Sequence, residues 1–155
     1  MKCCLIEYVS NSPEETLAAG KNLSHKLQSG SVIALYGGLG SGKTCLVKGI
    51  AQGLGITETI TSPTYTIINE YAASKPHADA CSCAACCPLY HIDAYRLNGD
   101  EDFESTGAGE IIGSRGITII EWSERIPRSI PPGSITIHIE ITGPNNRLIR
   151  IEGLT

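Results

Sequence analysis

The chain has 155 residues, 41% hydrophobic and 18% charged, with a formal net charge of −4 and no block of like charges. An acidic chain without clustered Lys and Arg is a poor candidate for holding nucleic acid by itself, because phosphate neutralisation needs such clusters. No run approaches the roughly 20 apolar residues of a membrane span, so length and composition point to one soluble domain over residues 1–155.

The opening MKCCLIEYVS carries a Lys, but its apolar run stops at Glu7, far short of a signal-peptide core. A cytoplasmic, reducing setting is expected, and seven cysteines, an odd count, argue against a full disulfide framework. Residues 3–9 read as a short edge strand. Ser12, Pro13 and Glu15 then have the spacing of a capping box with proline at the first helical position. The helix they open places Leu17, Leu23 and Leu27 on or near one face, with Gly30 as its expected stop. VIALY, 32–36, is a continuous apolar run between glycines, the pattern of a strand buried on both faces.

GGLGSGKT follows at once. Gly37, Gly38, Leu39, Gly40, Ser41, Gly42, Lys43 and Thr44 match G-x-x-x-x-G-K-[ST], after a buried strand and before a helix expected over 43–54. Small residues let the backbone wrap a phosphate chain with its N–H groups inward, and the helix N-terminus adds a favourable field. Lys43 can reach β- and γ-phosphates, the Thr44 hydroxyl can bind Mg²⁺, and Cys45 completes the candidate phosphate site. A helix start beside Lys43 is expected to lower the Cys45 thiol pKa, unless Cys45 is simply a small residue packed beneath the phosphates.

Two extended segments come next, YTIINEYAA (65–73) and PLYHIDAYR (88–96). Alternation along the second puts His91, Asp93 and Tyr95 on one face, which is unlikely to be buried in apolar core. Between them lies a loop over about 74–88 that holds CSCAACC. His77, Cys81, Cys83, Cys86 and Cys87 raise a zinc or redox alternative, but adjacent Cys86 and Cys87 cannot both ligate one ion without strain. The stretch 101–113 reads as a short helix and turns. GITIIEW (116–122) is a second buried-strand pattern, ending in Glu121. SITIHIEIT (134–142) alternates, with Ile135, Ile137, Ile139 and Ile141 on one face, and GPNN turns it into RLIRIEG as a C-terminal hairpin. The expected class is α/β: a P-loop NTPase-like mixed sheet with a parallel centre, flanking helices and antiparallel C-terminal strands.

GGLGSGKT, TSPTYT (61–66), YHIDAYRL (90–97) and EW (121–122), in this order and spacing, resemble the TsaE family of small bacterial P-loop ATPases. The likeness covers nearly the whole chain from about Ser12. It implies binding of ATP with Mg²⁺ and slow solitary hydrolysis. It implies work with TsaD and TsaB, which modify the adenosine beside the anticodon of tRNAs reading ANN codons. Contact with tRNA would come only through that complex, and no membrane is involved. The likeness makes Thr44 and Glu121 magnesium ligands and Asp93 a residue needed for hydrolysis beside Lys43. It makes Ser62, Pro63, Thr64, Tyr65 and Thr66 a switch-like segment.

The rival reading is a small-molecule P-loop phosphotransferase, which would need a lid rich in arginine. Arg96, Arg115, Arg125 and Arg128 are spaced rather than clustered, and no N-K-x-D element supports a GTPase. Trp122 stands next to the expected metal acid, with its partner undetermined by sequence.

Overall fold

The computed structural model describes residues 4–72 and 86–155. The chain order is β1 (Cys4–Ser10), α1 (Pro13–Ser24), β2 (Val32–Tyr36), α2 (Lys43–Gly53), β3 (Ile68–Tyr71), β4 (Leu89–Asp93), α3 (Asp100–Ser105), β5 (Ile117–Glu121), β6 (Ile135–Ile141) and β7 (Arg147–Leu154). One seven-stranded sheet runs β1-β7-β6-β2-β5-β4-β3. The four inner strands β6, β2, β5 and β4 are parallel, and the outer pairings, β1–β7, β6–β7 and β3–β4, are antiparallel. This is the expected mixed sheet, with one further antiparallel strand, β3, at the edge away from the C-terminal hairpin.

Apolar side chains divide over the two faces. Ile33, Leu35, Ile117, Ile119, Ile137 and Ile149 pack under α1 and α2 through Leu23, Leu46, Val47 and Ile50. Val32, Ile92 and Ile120 point the other way, onto Phe103 of α3 and Ala108. Helices on both faces bury central strands twice over, which is why 32–36 and 117–121 read as continuous apolar runs. The two helices of the first layer approach closely at glycines. A Cβ on Gly20 would fall on the Leu46 carbonyl oxygen, and one on Gly49 on the Leu17 carbonyl oxygen. Among the described residues no helix is long and apolar enough to cross a membrane.

Several boundaries differ from expectation. α1 stops at Ser24, six residues before Gly30, because Ser24 Oγ donates back to Lys21 O at 2.6 Å and the chain continues in turns. Gly30 instead uses a φ of 87° to enter β2. The capping box is half made: Ser12 Oγ accepts from the Glu15 N–H at 3.1 Å, but Glu15 Oε2 accepts from Asn11 N, one residue earlier than expected. β3 is four residues rather than the nine of 65–73. Ile67 donates to Pro63 O at 2.7 Å and takes a φ of 69°, which folds residues 63–67 into a turn before the strand begins. Ile141 ends the buried row of β6 and is itself exposed.

β4 also stops early. Asp93 Oδ1 accepts from the Tyr95 N–H at 2.8 Å, a side-chain turn that ends the ladder. Tyr95 therefore does not continue the alternation. His91 and Asp93 are buried, but, as expected, not in apolar core. Each meets polar partners instead: Glu121 for His91 and Ser62 for Asp93. Of the cysteine-rich loop, His77, Cys81 and Cys83 lie outside the described residues, whereas Cys87 is buried in the main core beside Leu89 and Tyr71.

Candidate functional site

The carboxyl ends of β2, β4 and β5 converge on the N-terminus of α2, the place where open parallel sheets hold ligands. A cavity of about 320 Å³ opens there, lined by Gly40, Lys43, Thr44, Asp93, Glu121 and Trp122 among others. A cavity of similar size, about 340 Å³, lies at the opposite end of the sheet beside Gln28, Ser31 and Pro132 and carries no acidic side chain. Chemistry, not volume, selects between them.

The loop from Gly37 to Gly42 turns β2 into α2. Gly42 takes a φ of 101° as the helix N-cap, a left-handed conformation that favours glycine. Lys43 is buried. Its ammonium donates to Gly37 O at 2.6 Å and Gly38 O at 3.0 Å and stands 3.9 Å from the centroid of the Trp122 ring. Burial pushes its pKa below the ordinary lysine value, while Glu121, Glu124 and Asp93 pull it back up. Trp122 thus packs on Lys43 and tilts against Tyr95, with ring centroids 4.9 Å apart.

Glu121 ends β5 and pairs in register with Asp93 of β4. Its Oε1 accepts from the Thr44 hydroxyl at 2.9 Å and meets His91 Nε2 at 2.8 Å. His91 is fully buried, and its Nδ1 has no partner among the described residues. Asp93 Oδ2 accepts from Ser62 Oγ at 2.9 Å and Thr64 Oγ1 at 3.2 Å. The early part of the expected switch-like segment is therefore latched to this carboxylate. Thr66 bonds instead to Asn69 at 3.1 Å, and Tyr65 is exposed under the Arg96 guanidinium, 4.1 Å from its ring centroid. Ile67 and Trp122 are the non-glycine residues with positive φ among the described residues. One follows the switch-like segment and the other follows Glu121, so the strained backbone sits at the site's edges.

Cys45 lines the same cavity from the start of α2, but its expected thiol shift is reversed. Burial pushes the thiol up, Lys48 rather than Lys43 is the cation opposing this, and Glu14 pushes the same way as burial. Its Sγ donates to Pro13 O at 3.3 Å. Leu39 stands exposed at the rim. Of the four arginines considered from sequence, Arg96 stacks on Tyr65, Arg125 lies 5.5 Å from the Tyr95 ring centroid and Arg128 pairs with Asp100 at 3.5 Å. The arginine that does touch the phosphate loop is Arg147, which donates to Ser41 O at 3.0 Å. Nothing local in RLIRIEG marks it, since the contact spans 106 residues. Alternation likewise places His91 on the Asp93 face but carries no sign of Glu121 as its partner.

Comparisons with known proteins agree with this architecture. A family profile described as threonylcarbamoyl adenosine biosynthesis protein TsaE matches residues 10–149. A Treponema pallidum protein named tRNA threonylcarbamoyladenosine biosynthesis protein TsaE is 40% identical over 143 residues, 92% of this chain and 97% of that one. The Aquifex aeolicus protein of the same name is 36% identical over 149 residues, covering 95% of this chain and 96% of its own. The crystal structure of YdiB from Bacillus subtilis superposes with a TM-score of 0.76 at 30% identity, covering 100% of this chain and 89% of that one. With the phosphate loop, the paired acids and the latched segment in one cavity, the chain belongs to the TsaE family.

Proposed function

We propose that this chain binds ATP with Mg²⁺ in the cavity beside Lys43 and hydrolyses it slowly alone, as an accessory of tRNA threonylcarbamoylation working with TsaB and TsaD. Family membership supports the pathway, which the relatives carry in their names. The observation that carries the chemistry is the meeting of the Thr44 hydroxyl and the Glu121 carboxylate at 2.9 Å, with Asp93 register-paired beside Glu121. Hard oxygen donors of this kind fit Mg²⁺, which takes one or two carboxylates plus phosphates and keeps several waters. A bound Mg²⁺ would offset charge building on the phosphate oxygens.

The chain's own residues account for the remaining needs. Gly37 to Thr44 supply backbone amides and the helix terminus for the phosphates. Lys43, already charged and held by two loop carbonyls, is placed to lie along the β- and γ-phosphates. His91 holds Glu121 through the same Oε1 that accepts from Thr44. Asp93 is the acid left to orient water, but its Oδ2 is engaged by Ser62 and Thr64. Movement of residues 62–66 would release that oxygen. A low solitary rate follows if a partner must shift this segment.

The test is phosphate release from ATP by the chain alone and with the cognate TsaB–TsaD pair. Strong stimulation is expected. No stimulation, together with transfer to a nucleoside or metabolite faster than hydrolysis, would establish the phosphotransferase instead.

A further inference from the structure

Arg147 opens β7, where it pairs with Ser10 of β1 and Ile141 of β6. From there its guanidinium reaches the phosphate loop. Nε donates to Ser41 O at 3.0 Å and Nη2 to Gly40 O at 3.1 Å. Nη1 donates to Gly143 O at 3.0 Å and Asn146 O at 2.8 Å, both in the turn between β6 and β7. One side chain therefore clamps two loops that are remote in sequence. Among the described residues no carboxylate pairs with it, so its charge serves backbone carbonyls alone.

Its position relative to the site is informative. Arg147 lines a separate cavity of about 170 Å³ with Ser12, Pro13 and Cys45, and does not line the cavity that holds Asp93 and Glu121. The loop passes between the two cavities, with Gly40, Ser41 and Gly42 bordering both. In a trans peptide the C=O and N–H point opposite ways. Fixing the Ser41 carbonyl on Arg147 therefore directs the Gly42 N–H away from Arg147. The amide after Gly40 is used within the loop, where the Ser41 N–H donates to Gly38 O at 3.1 Å, so the Gly42 N–H is the one this clamp offers to an anion-binding concavity. The adjacent positive charge also favours anions at the loop.

We infer that Arg147 is a positioning residue for the phosphate loop: it holds the Gly40 and Ser41 carbonyls outward and ties nucleotide affinity to the turn between β6 and β7. This rests on the nucleotide reading above. It acts through the loop backbone, not through contact with phosphate or metal.

The experiment is equilibrium titration of the full chain with ADP, in EDTA and in Mg²⁺, for wild type, Arg147→Ala, Arg147→Lys and Arg150→Ala. Arg150 lies on the same strand but pairs with Glu7 and Glu140, so it removes an arginine without touching the loop. Without the clamp the Gly42 N–H loses its fixed direction, and loss of one hydrogen bond to a charged phosphate predicts affinity roughly tenfold or more weaker for Arg147→Ala, to the same degree with and without Mg²⁺. Arg147→Lys should fall between Arg147→Ala and wild type, because one ammonium cannot reproduce the fork. Arg150→Ala should match wild type. A merely structural arginine would lower the melting temperature and leave affinity unchanged well below it. Affinity within twofold of wild type for a folded Arg147→Ala would overturn the inference, as would unchanged affinity of Arg147→Lys if the alanine variant does not fold. If wild type itself binds no ADP, the nucleotide reading fails first, and the inference with it.

Discussion

The sheet divides at β2 into two unlike halves. On one side β6, β7 and β1 pair antiparallel and alternate, with Ile137, Ile139, Ile149 and Ile151 turned inward onto α1 and α2. On the other, β5 and β4 run parallel to β2 and end in Glu121 and Asp93, with His91 one step behind. The first half spends its side chains on core and sends one arginine to the loop. The second half surrenders apolar packing at its strand ends to hold three buried ionisable groups. That division follows from topology: parallel strands bring their carboxyl ends to one edge with the helix N-terminus, whereas an antiparallel hairpin offers that edge a turn.

The contrast can be broken from either side. Ile149→Ala, in the antiparallel half, should cost ~2–5 kcal/mol of stability through an unfilled core site, measured by urea unfolding. Nucleotide affinity of the folded fraction should hold. A large affinity loss there would dissolve the division. Lys43→Ala should do the reverse. Losing a charged donor to the phosphates predicts affinity down by a factor on the order of 100, read by ADP titration, with stability little changed or improved as a buried charge is removed. The smallest effect concerns Cys45. Its thiol is held above the ordinary range by burial, so less thiolate forms near neutral pH. Alkylation should be slower than in the unfolded chain, climb as pH rises, and slow further with saturating ATP. Equal labelling with and without ATP would remove Cys45 from the ligand's surroundings.

Much of this arrangement is legible in the sequence because it is written in local patterns. β2 and β5 announce themselves as apolar runs, β6 by alternation, and the phosphate loop by its glycines and Lys43 between a strand and a helix. Glu121 is findable as an acid closing a buried run. What escapes depends on side chains bonding their own or distant backbone. Ser24 ends α1 by bonding Lys21 O, and Asp93 ends β4 by capping Tyr95. Ile67 breaks β3 with a backbone conformation that isoleucine seldom adopts. The burial of His91 and Asp93 contradicts their polarity until their partners, Glu121 and the hydroxyls of Ser62 and Thr64, are in view. Arg147 has no local signature at all, because the turn that places it and the loop it holds meet only in the folded chain.

The central claim is that the acid tips of the parallel half perform hydrolysis on a nucleotide that the loop binds. It is tested most directly with Asp93→Ala, comparing TsaB–TsaD-stimulated phosphate release with ADP affinity measured on the same preparation. The account predicts turnover reduced by a factor on the order of 100 or more, as for loss of a residue that positions the attacking water, with affinity within a few-fold of wild type. Stimulated turnover equal to wild type would contradict it.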